Sequence, residues 1–591
     1  GQGATGRGQA AGRAMLKPSK KDSLARATTL NLPEADKALL RATTPAVLLG
    51  GIGHRMRGSI GGIGHIVESG DDAYAKSFPV DRLDIFLSHS WHTRWYLKYL
   101  TLLYFFNAMP AIATTCFVSG ICALCLWQPG GLEGESHEDN THHLTEVWPI
   151  CQVVGTLTFV ATLLSWHHVL AALHWAPTLF LDKVCIHQTD LQLKTRGIQY
   201  IGAFLAKSNM MLVTWDGSYF ERLWCTYEMS AFRAGNPEGK VRVLPVILGG
   251  FTVAYSVATA IADVLLHGFQ RLGSLTDPFE IYCASALFHF PMYVLCMRLV
   301  VRYINNYIKL KEQLAHFSVR SAKCFCCSCQ HVHPDTGAAL PCDRVVVNNS
   351  IEKWMGLDEF DRMVRGHFMH FVRRSLGGWA KIPYRYAVAA SIYPGLWGVD
   401  HMAAQSTWSF WLKALWVFDT TFLRHPLIIA LVVAAHVRYQ LRVQVWINRC
   451  LQLSERWKES CTKYLMYITS GLASTVLYYV SLITKKWLMS KGVWKKELLL
   501  VLWMVCEAFC VFMFYFQRVL MQDCGIKKGS WVTEEGNPAG LTTLNSRQAT
   551  QSNRTSLDTG HCVIELGAIP KRLETDSSTA EGCGEQPTVA A

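Results

Sequence analysis

A chain of 591 residues can hold several domains, yet 50% of it is hydrophobic and 12% aromatic, with a mean hydropathy of +0.16. That balance is too apolar for an ordinary soluble protein of this size and points to a multipass α-helical membrane protein. The net charge of +13 comes from Lys and Arg flanking apolar stretches, which suits cytosolic loops and argues against a nucleic-acid groove.

Residues 1–80 repeat short phrases, RATT at Arg26 and Arg41 and GGIGH at Gly50 and Gly61, with little apolar surface, so a disordered tail is expected. The glycines do not fit a dinucleotide-binding GxGxxG followed by a helix. No early apolar stretch marks a signal peptide, and the missing initiator Met suggests an incomplete or processed start. Two apolar segments, Tyr99 to Trp127 and Val147 to Trp166, are long enough to span. The link between them carries five carboxylates and no Lys or Arg, so it is expected to face outward. A second pair covers 251–301, followed by Arg302, Lys309 and Lys311 on the cytosolic side. Further apolar segments at 386–399, 408–422, 426–437, 464–484 and 498–516 bring the expected number of spans to about eight. The resulting order is a disordered tail (1–80), a first α/β part (82–98), a transmembrane hairpin (99–166), a second α/β part (177–248), a second pair (251–301), a cytosolic Cys-rich and helical region (302–383), further spans (384–516) and a disordered tail (525–591). Both tails and the α/β part are expected in the cytosol, in a membrane the sequence does not specify.

The stretches flanking the first hairpin alternate strand with helix. RLDIFLSHSW reads as a buried strand over Asp84 to Leu87, PTLFLDKVCI as a second, NMMLVTW as a third and KVRVLPVILGG as a fourth, with a helix over SYFERLWCTYEMSAF. Such alternation implies a parallel sheet whose ligand crevice lies beyond the C-terminal strand ends. DIFLSHSW, FLDKVCI, AKSNMMLVTWDGSYFERLWCTYEMSAF and RVLPVIL, in that order, resemble a TIR (Toll/interleukin-1 receptor) domain, with a flavodoxin-like sheet, of the protist type in which a transmembrane hairpin interrupts the domain. The resemblance covers about 82–91 and 177–248, and it departs from the usual TIR pattern in the inserted hairpin and in the lack of an evident fifth strand after Leu248.

In TIR domains that cleave NAD, the resemblance implies, a Glu in a WCxxE-like phrase is the catalytic carboxylate, and here Trp224, Cys225 and Glu228 occupy those places. A carboxylate beside the ribose stabilises an oxocarbenium-like transition state. Trp224 and Glu228, four apart, are expected to share a helix face and frame the NAD pocket with Cys225. Ser88 and His89 at the end of the first strand, Asp182 and Lys183 after the second, and Asp216 and Tyr219 after the third are further candidates for NAD contact. Capping and solvated turns account for them equally well. Two rival functions remain open: a non-catalytic adaptor or scaffold that binds other TIR-like domains or itself, and a channel or transporter built around Asp263, Asp400 and Glu507.

The twenty cysteines are scattered, so reduced thiols are expected rather than a disulfide framework. Cys324, Cys326, Cys327, Cys329, His331, His333 and Cys342 offer more than enough soft ligands for one tetrahedral zinc. S-acylation of juxtamembrane cysteines, holding the loop at membrane lipid, is the alternative, and neither modification is a third.

Overall fold

The computed structural model describes residues 32–56, 70–126, 149–236, 238–271, 278–332, 337, 339–376, 382–403, 409–435, 455–490 and 496–516. The expected C-terminal tail and the acidic link after Trp127 lie outside these residues. Helices dominate, around one small parallel sheet.

Before that sheet comes a two-stranded antiparallel pair, β1 (Arg41–Ala42) with β2 (Phe78–Pro79). The main sheet is built from β3 (Leu83–His89), β4 (Leu179–Phe180), β5 (Ser208–Trp215) and β6 (Lys240–Pro245), in the order β4-β3-β5-β6 and parallel throughout. β3 pairs Leu83 through His89 with Ser208 through Thr214, although 118 residues separate the two strands, and only Asp84 in it is exposed. Such near-continuous burial is what a strand covered on both faces requires. Its chain order is second-first-third-fourth, so the winding direction reverses between β3 and its neighbours.

The second strand is shorter than the sequence suggested. It ends at Phe180 because Asp182–Cys185 closes a helical turn, in which Ile186 N donates to Asp182 O (3.0 Å). The helix expected over SYFERLWCTYEMSAF is broken at Arg222, whose ψ is 134°, leaving a 3-10 turn at Tyr219–Glu221 and an α-helix at Leu223–Gly235. The cause is a bridge to Lys323, whose N donates to Glu221 O (2.7 Å) and whose O accepts from Leu223 N (3.0 Å). A helix follows β6 from Ile247, and among the described residues no fifth strand extends the sheet.

Among the described residues five helices are long and apolar enough to cross a membrane: Trp95–Leu126, Ile150–Ala172, Ile247–Leu266, Cys283–Ala315 and Phe410–Ala435. Two shorter apolar helices, Tyr467–Leu477 and Leu500–Phe514, fall on other expected segments. The segments expected separately at 408–422 and 426–437 are one helix, because a wide π turn at Asp419–Arg424 leads into Pro426 and accommodates its missing N–H. The segment expected at 386–399 lies in the helix Tyr384–Ala403, which is not among the five.

Two of these helices leave the sheet at its C-terminal edge, Trp95–Leu126 after β3 and Ile247–Arg271 after β6, and they cross at once. Thr101 Oγ1 donates to Val246 O (2.8 Å) and accepts from Gly249 N (3.3 Å). A Cβ on Gly249 would lie 2.5 Å from the backbone of Leu100 and Thr101. Gly249→Ala is therefore expected to cost about 1–3 kcal/mol by overpacking and to lower the thermal midpoint by several degrees. Gly268→Ala, whose Cβ would meet nothing within 4 Å, leaves it unchanged.

The N-terminal segment corrects one expectation. Leu40, Ala42, Leu48, Leu49 and Met56 are buried, although residues 1–80 were expected to lack a core. Their apolar side chains are few, and they are buried by joining the core of the first apolar helices and the sheet. Gly53, at φ +66°, sits where a Cβ would come 2.7 Å from the Tyr99 ring, so the GGIGH phrase at Gly50 is a packing turn.

Candidate functional site at the C-terminal edge of the sheet

β3 ends in Ser88 and His89, and the helix Leu223–Gly235 lays Glu228 against them. Ser88 Oγ donates to Glu228 Oε2 (2.5 Å) and lies 2.6 Å from the Tyr219 hydroxyl. The single Tyr219 proton is shared with Cys225 O, the longer contact at 3.3 Å. With Ser88 donating to the carboxylate, Tyr219 is left to donate to Ser88, giving a relay from Tyr219 through Ser88 to Glu228. The 3-10 turn places the phenol and β3 places the hydroxyl, side by side against the helix that carries the acid.

Electrostatics set Glu228 apart. Burial pushes its carboxyl up from 4.5 to about 8, the Asp182 charge adds to the rise, and the Ser88 hydrogen bond opposes it. The side chain nevertheless keeps an accessible edge. Burial also drives the Tyr219 phenol and the Cys225 thiol well above their ordinary values. Cys225 is therefore a neutral thiol facing His89 O (3.7 Å) rather than a nucleophile.

A second group adjoins the first. Trp91 Nε1 donates to Asp182 Oδ2 (3.1 Å), and the Trp91 ring has Lys98 Nζ at 5.0 Å, Lys183 Nζ at 6.0 Å and the edge of His89 at 4.3 Å. Burial raises the Asp182 carboxyl. Burial first, and then the Lys98 charge, holds the His89 imidazole well below its ordinary value, so it is neutral. Its Nε2 is buried with no hydrogen-bond partner among the described residues. Two ammonium groups, an indole and a neutral imidazole thus stand beside the carboxyl relay.

Ser88, Tyr219, Cys225 and Glu228 come together, with His89, Asp182 and Lys183 as immediate neighbours. Asp216 instead shapes the turn after β5, accepting from Thr93 Oγ1 (2.5 Å), Ser218 N (3.0 Å) and Ser218 Oγ (2.9 Å). Trp224, on the same α-helix as Glu228, has its side chain hydrogen-bonded to the Asp343 carboxylate, and its ring meets Tyr227 edge-on at 5.8 Å. Sequence reasoning missed Trp91 and Lys98, which read as the lead-in to an apolar span. The signal available was a Lys inside that run, at position 98, which needed a polar destination.

The Cys-rich segment holds a cluster with metal-ligand chemistry. Cys326, Cys327, His331 and Cys342 bring one ligand atom each within 4.8 Å of one another. Cys324 belongs to an overlapping group with Cys326 and Asp343. Cys329 turns away, its Sγ directed at Phe325 O (3.2 Å) and Cys326 O (3.5 Å), and His333 lies outside the described residues.

No protein-family model, curated protein or solved structure matches this chain.

The buried acids of the apolar helices have internal partners. Asp400 accepts from Cys151 N (2.9 Å) and Gln152 N (2.8 Å), capping the helix Ile150–Ala172. Glu507 accepts from Trp503 Nε1 (2.7 Å), and Asp263 lies 3.4 Å from His289 Nε2.

Proposed function

We propose that the protein is a membrane-anchored TIR-like NAD glycohydrolase, in which the apolar helices hold the α/β domain at the cytosolic face of a bilayer. The observation that carries the reading is the Tyr219–Ser88–Glu228 relay at the C-terminal edge of the sheet, where the strand order reverses and parallel sheets take ligands. In the reaction the bond between ribose C1′ and the nicotinamide nitrogen breaks. Its electron pair neutralises the pyridinium, and water adds at C1′ and releases a proton, giving nicotinamide and ADP-ribose. Glu228, as the carboxylate, faces the positive charge that develops on the ribose. Lys183 supplies a cationic partner for the pyrophosphate and Trp91 an aromatic surface for a base, while the buried Lys98 adds positive charge behind the Trp91 ring.

A transport role is less favoured, because Asp263, Asp400 and Glu507 are engaged by neighbouring groups within the helix assembly. The test is nicotinamide release from NAD by the full chain in nanodiscs and in crowded proteoliposomes, where copies of the domain can meet. Release is expected in the crowded membranes. Intact NAD under both conditions would leave the adaptor reading.

A further inference from the structure

Around Cys327 the cluster has the ligand spacing of a tetrahedral coordination shell, and all four ligand atoms lie within 4.8 Å of one another. Cys327 Sγ lies 3.9 Å from Cys326 Sγ, 3.9 Å from Cys342 Sγ and 3.8 Å from His331 Nε2. Zinc–sulfur bonds of about 2.3 Å in a tetrahedron put ligand atoms roughly 3.8 Å apart. No cysteine among the described residues is in a disulfide. Cys324 Sγ, at 3.2 Å from Cys326 Sγ, is too close to share a metal with it at that spacing.

Three further observations point the same way. Gln330 and His331 are consecutive non-glycine residues at φ 54° and 61°, and this costly turn brings the imidazole back onto Cys327. Asp343 N donates to Cys326 Sγ (3.3 Å) and the Arg344 side chain is hydrogen-bonded to Cys327, the kind of outer partners that compensate thiolate charge. Cys326 is 2% exposed, which closes it to acylation.

The same segment grips the start of the Glu228 helix. Lys323, one residue before the cysteines, forms the bridge that breaks the chain at Arg222, and its Nζ meets Glu221 Oε2 (2.6 Å). Past the last ligand, Asp343 is hydrogen-bonded to Trp224 and Ser350 to Tyr227. The chain on both sides of the cluster thus touches residues 221–227, immediately before the carboxyl.

We infer that Cys326, Cys327, His331 and Cys342 bind one structural zinc ion, which fastens the Cys-rich segment and through it fixes the start of the Glu228 helix. Binding displaces the three thiol protons to solvent and leaves a Cys₃His site of net charge −1 beside the Arg344 guanidinium. The metal has no open position for substrate; its role is to position the helix. Only the consequence for catalysis rests on the NAD hydrolase reading, because the metal and the clamp are measured without it.

The test uses the full chain purified in detergent without chelator, with metal measured by inductively coupled plasma mass spectrometry and backbone hydrogen exchange followed over residues 219–228. About one zinc per chain is expected. Cys327→Ser and Cys342→Ser lose it, Cys329→Ser keeps it, and His331→Cys, which preserves four ligands, also keeps it and controls for misfolding. Stripping the zinc from wild type is expected to speed exchange over 219–228 by tenfold or more, and readdition to restore protection. Metal-free wild type would overturn the site, as would loss of zinc from Cys329→Ser as complete as from Cys327→Ser. Exchange unchanged on zinc removal would overturn the clamp. A protein that holds zinc and loses protection over 219–228 when the metal is removed, but leaves NAD intact, supports the site and the clamp and counts only against the hydrolase.

Discussion

Glu228→Gln is expected to lower NAD hydrolysis by a factor on the order of a hundred or more while leaving the protein at least as stable as wild type. Gln keeps an oxygen for the Ser88 hydroxyl and nearly the same volume, but it brings no charge to the developing ribose cation. Stability separates this role from that of a structural partner. The carboxyl titrates at 4.5 in the unfolded chain and at about 8 in the folded one. Below 4.5 both states hold the proton and the group is neutral to folding. Between those values the unfolded chain has released its proton and the folded chain has not, so stability falls as pH rises through the window. Above about 8 the penalty is constant. Allowing for screening at the accessible edge, wild type carries a penalty of about 1–2 kcal/mol at pH 7 that Gln, which does not titrate, lacks. Thermal midpoints of the two proteins should therefore converge near pH 4.5 and separate in favour of Glu228→Gln toward pH 9. A Gln variant as active as wild type would remove Glu228 from the chemistry. A large stability loss at every pH would make the acid a structural partner instead.

The backbone of the site was legible because the strands carry their own evidence. IFL in β3 and LVTW in β5 are apolar runs too short for spans and bounded by polar turns, which is what strands buried on both faces look like. What periodicity could not supply was registration. Ser88 and Glu228 are 140 residues apart, and nothing local to either says that one donates to the other. Arg222 is extended rather than helical because Lys323, a hundred residues on, pairs with it, a tertiary override that no helix propensity anticipates. Among the cysteines, composition offered seven ligand candidates, and it took the left-handed turn at Gln330 and His331 to bring four of them together. The N-terminal segment was misread for a related reason. Leu48 and Leu49 are too few to form a core and enough to complete one supplied by helices that come later in the chain.

The pH dependence of the reaction is expected to be as large as the effect of the mutation. In the ligand-free protein the carboxyl is largely protonated at neutral pH, since it titrates at about 8. Stabilising a ribose cation needs the ionised form, so kcat/KM, which reports the free enzyme, should rise with unit slope from pH 6 and level off above pH 8, a gain of about fifty-fold between those two values. The profile of kcat should lie at lower pH, because bound NAD places its pyridinium charge beside the carboxyl and favours ionisation. Ser88 then has a specific effect. Its hydroxyl donates to Glu228 Oε2 and so holds the carboxyl lower than burial alone would. Ser88→Ala removes that donor, and the rising limb of kcat/KM should move to higher pH, with activity depressed at pH 7 and partly recovered by pH 9. Tyr219→Phe should move the limb the same way by less, because the phenol acts on Glu228 only through the Ser88 oxygen. Measuring kcat/KM from pH 5.5 to 9.5 for the three proteins decides it. Profiles that are flat, or limbs that coincide despite the missing hydroxyl, would mean that Glu228 is already ionised or is not the group that meets the substrate.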